Sequence, residues 1–203
     1  MKFILSILAV LAIVFLVGCS AKDTNNNKLS NSEITKLGKK YGGVYVFNKK
    51  FEKEIDDRER ERKEAIKELK GRDLGGGLYA VDTKPVDQKF PQILSNGKKY
   101  YTTTRAYGED YNKQAKLPEI YKEKIINFIG QEDYNKFKPS MLLSYFYVDD
   151  NQDIVPIVVS VYYTVGYTKY GFFGDEGREF SLSRRDVKDV GGDSVFYVED
   201  LEK

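Results

Sequence analysis

Residues 154–165 constrain the fold more than any other part of the chain. The segment is rich in β-branched and aromatic residues, with apolar side chains at both odd and even positions, such as Val155, Ile157, Val158 and Tyr162. Successive side chains of a strand point to opposite faces of the sheet, so this segment has apolar residues on both faces. The sequence therefore predicts a central strand of a β-sheet here.

Other segments supply neighbouring strands and a hairpin. Residues 93–104 contain Asn96-Gly97, a dipeptide typical of tight hairpin turns because both residues tolerate positive φ angles. The remaining strands are predicted at residues 41–47, 78–82, 141–148, 178–183 and 194–199.

Two helices are predicted. In residues 117–130 the apolar side chains recur at helical spacing, which favours packing against a sheet: Leu117, Ile120, Tyr121, Ile125, Phe128 and Ile129. Residues 49–70 form the second helix, whose middle, residues 56–64, consists entirely of charged residues. We expect that middle to be solvated on all sides.

Together these elements predict an α+β fold. It would consist of an antiparallel sheet of about five strands with one or two packed helices. We expect one globular domain over residues 41–203, preceded by a polar, flexible tether at residues 19–40.

The N-terminus carries a targeting signal. Lys2 is followed by uncharged residues 3–15, an apolar run too short to span a bilayer and suited to a signal peptide. Leu16-Val17-Gly18-Cys19 then resembles the lipobox of bacterial lipoproteins. The resemblance covers residues 1–19 only. It implies that residues 1–18 are a signal peptide removed after Gly18, and that Cys19 is the lipidation site.

The same resemblance implies a location. A lipoprotein carries fatty acyl chains such as palmitate on this cysteine, and two or more chains anchor a protein stably in a membrane. The folded domain would then lie in the cell envelope, outside the cytoplasm and lipid-anchored to the cell membrane. Ser20, where enteric inner-membrane lipoproteins tend to have Asp, favours the outer membrane in a Gram-negative cell.

Composition restricts the chemistry. The chain has 33 Lys and Arg against 31 Asp and Glu, and signal-peptide removal would take only Lys2 from this balance, so we expect no nucleic-acid partner. Histidine is absent and Cys19 is the only cysteine. The commonest general base, thiol catalysis and disulfides are therefore unavailable to the lipidated protein. We predict no metal, no cofactor and no catalytic residue.

Two short patterns match part of a known functional motif, but the surrounding residues do not fit either motif. Asp149, Asn151 and Asp153 have the spacing of a calcium loop, but Ile154 and Ser160 replace the glycine and glutamate that such a loop requires. A polar hairpin turn is the better interpretation. Residues 95–98 match Ser-x-x-Lys of penicillin-binding enzymes, yet their Asn-Gly predicts a turn rather than the helix that this motif needs.

An envelope hydrolase using a carboxylate pair is an alternative. Glu109, Asp110, Asp175 and Glu176 lie in predicted loops near aromatic residues. Separation in space, not in sequence, decides whether two carboxylates act together, so no pair can be chosen from the sequence.

The leading hypothesis is a non-catalytic binding or assembly lipoprotein with an envelope protein as partner. Its candidate contact surface is the glycine-rich segment 166–177, expected to be a loop, with Tyr167, Tyr170, Phe172 and Phe173. An inhibitor, immunity or exclusion lipoprotein is a further alternative, because a tethered domain of this size and charge would serve that role equally well.

Overall fold

The computed structural model describes residues 29–174 and 180–201. The predicted signal peptide and Cys19 lie outside these residues. The helices are α1 (Asn31–Tyr41), α2 (Lys49–Lys67), α3 (Lys84–Lys89), α4 (Thr104–Tyr111), α5 (Glu119–Ile129), α6 (Gln131–Lys136) and α7 (Val198–Leu201). The strands are β1 (Gly43–Val46), β2 (Arg72–Gly75), β3 (Leu78–Ala80), β4 (Tyr100–Tyr101), β5 (Ser140–Val148), β6 (Ile154–Phe173), β7 (Ser181–Val190) and β8 (Ser194–Tyr197).

The main sheet has six strands, which confirms the predicted α+β class. Its order is β4-β5-β6-β1-β8, and β7 pairs with the far part of β6. All of these pairings are antiparallel except that of β1 with β8. A separate two-stranded sheet joins β2 to β3. The predicted central strand is the start of β6, which has β5 on one side and β1 on the other.

Helices cover the two sheet faces unequally. On one face, α1 and α5 bury the side chains of Ile34, Ile125 and Ile129 against Tyr45 and Val161 of the sheet. On the other face, α2 covers only part of the sheet, where Ile55 packs in a smaller cluster with Val46, Tyr100 and Val158. The larger apolar core therefore lies under α1 and α5, because more of the sheet is covered there.

The helix α1 occupies residues that were expected to form the end of the tether, so that expectation is wrong over residues 31–40. Ser30 and Glu33 form a capping box at its start, and Ile34 is fully buried. Leu37 and Tyr41 follow at helical spacing and pack against the same core. Three apolar positions suffice because α1 lies directly on β6 and β7, so α1 belongs to the globular domain.

The middle of α2 is not solvated on all sides, as its charge had suggested. Arg62 is buried, where its guanidinium donates to the Phe90 carbonyl and lies 2.5 Å from Asp87. Glu59 accepts hydrogen bonds from the Tyr100 hydroxyl at 2.6 Å and from Gln92 at 2.8 Å. Buried charges persist when they are paired and hydrogen-bonded, which is why a helix of charged residues can pack here.

The apolar face of α5 is narrower than the spacing predicted. Ile125 and Ile129 are buried, but Ile120 is exposed. Ile120 is wrongly assigned because it lies nine residues, or about two and a half turns, from Ile129 and so projects from the opposite side of α5. The predicted turn at Asn96-Gly97 is present, with Gly97 at φ +81° and the Leu94 N–H donating to the Lys98 carbonyl at 2.8 Å.

The strand β6 continues to Phe173 through residues expected to form a loop. Residues Tyr163 to Phe173 pair in antiparallel register with Val190 to Ser181 of β7. Tyr, Thr and Phe favour strands, so Gly166 and Gly171 do not prevent pairing once β7 is alongside. The next strand is accordingly Ser181–Val190 rather than residues 178–183.

Candidate functional site

Part of one sheet face is not covered by a helix. The register places Val44 of β1 beside Ser160 of β6 and beside Val195 of β8, while Leu142 of β5 also pairs with Ser160. Paired residues project to the same side of a sheet, so these side chains share a face. We call this surface the open face and define it by Val44, Leu142, Ser144, Ser160, Tyr162, Thr164 and Val195.

The open face combines apolar and hydroxyl groups. Leu142 and Val195 are each 49% exposed, which is unusual for aliphatic side chains in a sheet. The Ser144 and Ser160 hydroxyls lie 2.7 Å apart and satisfy each other. Thr164 donates to Asp189 at its border, at 2.8 Å. The result is a flat surface with its serine and threonine hydroxyls partnered and with no charged residue among the seven that define it.

Beyond Tyr162, the sheet narrows to two strands. The pairing of β5 with β6 stops at Ser140 and Tyr162, whereas β7 continues along β6 to Phe173. We call residues 166–173 and 180–187 the ribbon. Two-stranded sheets are marginally stable alone, so a ribbon of this kind depends on the domain at its base.

Apolar side chains of the ribbon are strongly exposed. Phe172 is 87% exposed and Phe180 is 83% exposed, and the group is completed by Tyr170, Leu182 and Val187. Scattered apolar residues are normal on a protein surface, but a group on one projecting element indicates a contact surface.

The ribbon separates the four aromatic residues proposed from the sequence. Tyr170 is an even number of residues from Thr164, so it continues the open face, together with Val187, which pairs with Gly166. Tyr167 follows Tyr163 and Val165 on the opposite side, and its hydroxyl donates to Asp186 at 3.5 Å. Phe172 and Phe173 lie at the far end of β6, across a register irregularity.

A charged cluster stabilises the side of the ribbon that carries Tyr167. Lys169 lies 2.7 Å from the Asp186 carboxylate and Arg184 lies 3.3 Å from it. The hydrogen bond from Lys169, then that from the Val187 N–H, and then Arg184 lower the pKa of Asp186 to about 2. Asp186 is therefore ionised at physiological pH and joins two basic side chains across the strands.

The base of the ribbon is joined to the start of α1. The side-chain amide of Asn31 donates to the Gly166 carbonyl at 2.7 Å. Leu29, just upstream, packs against the main core. The chain that precedes residue 29 therefore meets the folded domain at the base of the ribbon.

The described carboxylates proposed for catalysis have structural partners. Glu109 and Asp110 lie on α4 rather than in a loop. Asp110 lies 2.5 Å from Lys99 and accepts from the Tyr101 hydroxyl at 2.8 Å, contacts that lower the pKa of its carboxyl. Glu109 pairs with Arg105 at 3.1 Å. Asp175 and Glu176 lie outside the described residues.

The Asp149 turn is a polar hairpin, as the sequence indicated. Asp149 accepts the backbone N–H groups of Asn151 and Asp153, both at 2.9 Å, and so closes the turn itself. Within residues 29–174 and 180–201, no group of three or more acidic, His or Cys side chains is arranged to hold a metal ion.

No protein-family model, curated protein or solved structure matches this chain. Among the helices that the structure describes, none combines the length and apolar character needed to cross a membrane.

Sequence reasoning identified Tyr170 and Phe172 but missed Leu182, Val187, Leu142 and Val195. Leu182 and Val187 alternate with polar or charged neighbours along β7, a pattern that also fits one covered face, whereas Leu142 and Val195 each adjoin an apolar residue and fit a buried strand. Only the register shows that Leu142, Val187 and Val195 project on a face that lacks a helix, and it places Leu182 on the opposite side of the ribbon.

Proposed function

We propose that this protein is a cell-envelope lipoprotein, anchored through lipid on Cys19, that acts as a non-catalytic binding or assembly module. Its open face binds a protein partner. The observation that carries the proposal is the part of one sheet face that no helix covers. There Leu142 and Val195 are exposed beside the paired hydroxyls of Ser144 and Ser160.

The shape and chemistry of the open face fit a protein rather than a small molecule. Small-molecule sites are concave and enclose most of their ligand, whereas this face is a flat part of a sheet. The centres of protein interfaces are depleted in charge and enriched in tyrosine. The open face has no charged member, and Tyr162 and the neighbouring Tyr170 supply aromatic area.

The anchor rests on the sequence. Residues 16–19 match the lipobox pattern directly after an apolar run, and nine residues separate Cys19 from Leu29, where the chain joins the core. A lipid on Cys19 would hold the open face close to the membrane. It would raise the effective concentration of the domain near envelope proteins.

Site-specific photo-crosslinking tests the binding surface. A photoreactive residue is introduced at Leu142 or at Val195 of the full-length protein in its native cells. The matched control is Ile120, which is also an exposed aliphatic residue but lies on α5, against the opposite sheet face. We expect one adduct of the same mass from both open-face positions and none from Ile120.

A second variant distinguishes specific binding from chance capture. Leu142→Glu places a charge at the β5 side of the open face and should reduce the Val195 adduct at least tenfold, with an unchanged circular dichroism spectrum. Equal adducts from all three positions, or an adduct insensitive to Leu142→Glu, would overturn the proposal. A toxin, phage or transfer protein in the adduct would identify the partner class as that of an inhibitor or exclusion protein.

Metabolic labelling with palmitate tests the anchor separately. The wild-type protein should incorporate label and fractionate with membranes, and Cys19→Ala should abolish both. Label that persists in Cys19→Ala would refute the lipidation site, whatever the crosslinking shows.

A further inference from the structure

We propose that the far end of the ribbon lies on the bilayer surface, beside the lipid on Cys19. The domain would then touch the membrane at two points, one covalent and one through Phe172, Phe180 and Leu182. This inference rests on the proposed lipid anchor.

The first step is where the anchored chain meets the domain. Ser30 caps α1, and Asn31 donates to the Gly166 carbonyl, so residues upstream of 29 leave the domain at the base of the ribbon. The contacts of α1 place its N-terminal end at Gly166 and its C-terminal part near Gly191 and Gly192, beside the end of β7. The N-terminal end of α1 is thus the end closer to the far part of β6.

The second step is reach. Ten residue intervals separate Cys19 from Leu29, and a chain spans at most about 35 Å over that number of residues. The strand from Gly166 to Phe173 extends about 23 Å at ~3.3 Å per residue. The ribbon end and the lipid can therefore lie in the same membrane plane without any change in the fold.

The third step is chemistry. Aromatic side chains are enriched at membrane–water interfaces, and long basic side chains can place their charge in the headgroup region while their stems remain in apolar surroundings. Phe172 and Phe180 are the two most exposed large apolar residues that the structure describes, at the end of the ribbon. Arg184 lies nearby, with its guanidinium 5.0 Å from the Phe173 ring centre.

Charge determines how the ribbon rests on the membrane. Residues 163–190 contain five basic residues, Lys169, Arg178, Arg184, Arg185 and Lys188, and five acidic residues, Asp175, Glu176, Glu179, Asp186 and Asp189. A balanced segment is not drawn to anionic lipid by its net charge, so aromatic contact must drive the interaction.

The chain contains no tryptophan, so a single introduced one reports its own surroundings. The test variant is F172W in the full-length, lipidated protein, reconstituted into phosphatidylcholine vesicles containing brominated lipid. The matched control is Y79W, because Tyr79 is an exposed aromatic residue of the β2–β3 hairpin. This hairpin directly follows α2, the helix that packs on the sheet face opposite α1.

We expect the emission of F172W to shift to shorter wavelength and to lose at least half its intensity to the brominated lipid. Y79W should change by less than a tenth. Replacing a third of the lipid with phosphatidylglycerol should alter the quenching of F172W less than twofold, because residues 163–190 carry balanced charge.

The outcomes separate this inference from the anchor on which it rests. Protein that fails to float with the vesicles contradicts the lipid anchor. Protein that floats while F172W is quenched no more than Y79W overturns the ribbon contact and leaves the anchor intact. Quenching of F172W that requires anionic lipid overturns the aromatic mechanism. If F172W is not quenched in vesicles and a photoreactive residue at position 172 crosslinks to a protein in cells, the ribbon binds a protein partner instead.

Discussion

The two halves of β6 form one continuous strand but have opposite surroundings. From Ile154 to Tyr162 the strand lies between β5 and β1, whereas from Tyr163 onward its strand partner is β7. Ile157 is fully buried and Phe172 is 87% exposed, although both belong to one continuous strand. Within the second half itself, Tyr163 is buried and Tyr170 is largely exposed, so residue type alone does not set exposure.

The difference between the halves comes from their neighbours. The first half is covered by helices on one face and partly on the other, while the ribbon has only α1 near its base. A strand can therefore supply the core at one end and a contact surface at the other. Four experiments test this comparison.

The largest expected effect is on global stability. Ile157→Ala removes buried methyl groups and leaves a cavity, so it should lower the free energy of unfolding by about 2–5 kcal/mol. Phe172→Ala changes an exposed side chain and should alter it by less than about 0.5 kcal/mol. Urea denaturation followed by circular dichroism measures both. Similar losses for the two variants would mean that the ribbon is part of the cooperative core.

Hydrogen exchange sharpens the comparison at the level of single amides. Amides of β6 that pair with β1 should exchange only through global unfolding, whereas those of the ribbon should exchange through local opening. We expect at least about 100-fold faster exchange in the ribbon. Equal protection along residues 155–173, measured by mass spectrometry or NMR, would contradict a division within the strand.

A smaller effect should follow loss of the link at the base of the ribbon. Asn31→Ala removes the hydrogen bond to the Gly166 carbonyl, which is worth about 1 kcal/mol. Ribbon amides should exchange about fivefold faster than in the wild type. Amides of β1 that exchange by local opening should keep their wild-type rates. A uniform increase in both strands would show that Asn31 stabilises the whole domain instead.

The smallest effect is a local pH dependence. The pKa of Asp186 is lowered to about 2 by Lys169, the Val187 N–H and Arg184, from an ordinary value near 4. A carboxyl with a lowered pKa stabilises the folded state above its ordinary pKa, and this contribution is lost as pH falls through the lowered value. Ribbon pairing should therefore weaken between pH of about 4 and about 2.

NMR chemical shifts of Tyr167 and Lys169 would follow this transition. In Asp186→Asn the transition should be absent, while shifts in β1 should match those of the wild type. A transition that survives in Asp186→Asn would identify another carboxyl as its source.

Local signals in the sequence predicted the first half of β6, the turn at Asn96-Gly97 and the helix α5. These elements depend on properties read over a few residues: apolar patterning, positive φ at Gly97 and helical spacing. The class of fold follows from the same signals, since strand segments without regular intervening helices indicate an α+β arrangement.

The ribbon and α1 could not be predicted in the same way. Gly166, Gly171 and the acidic residues after Phe173 indicate a loop, and only pairing with β7 makes residues 166–173 part of a strand. Helix α1 has few apolar residues and is stabilised by packing on β6 and β7. Of the candidate site, Tyr170 and Phe172 were found by their aromatic character, whereas Leu142 and Val195 needed the register.

The position of β1 has a consequence for how the chain folds. Residue 43 pairs with residue 161 on one side and with residue 194 on the other, so both neighbours of this strand come from far along the chain. Closing such large loops is entropically costly, and high contact order slows folding. A nascent chain would hold its first strand unpaired until the distant strands are available. Slow assembly of this kind would leave the newly made polypeptide extended for longer than a fold built from local contacts would.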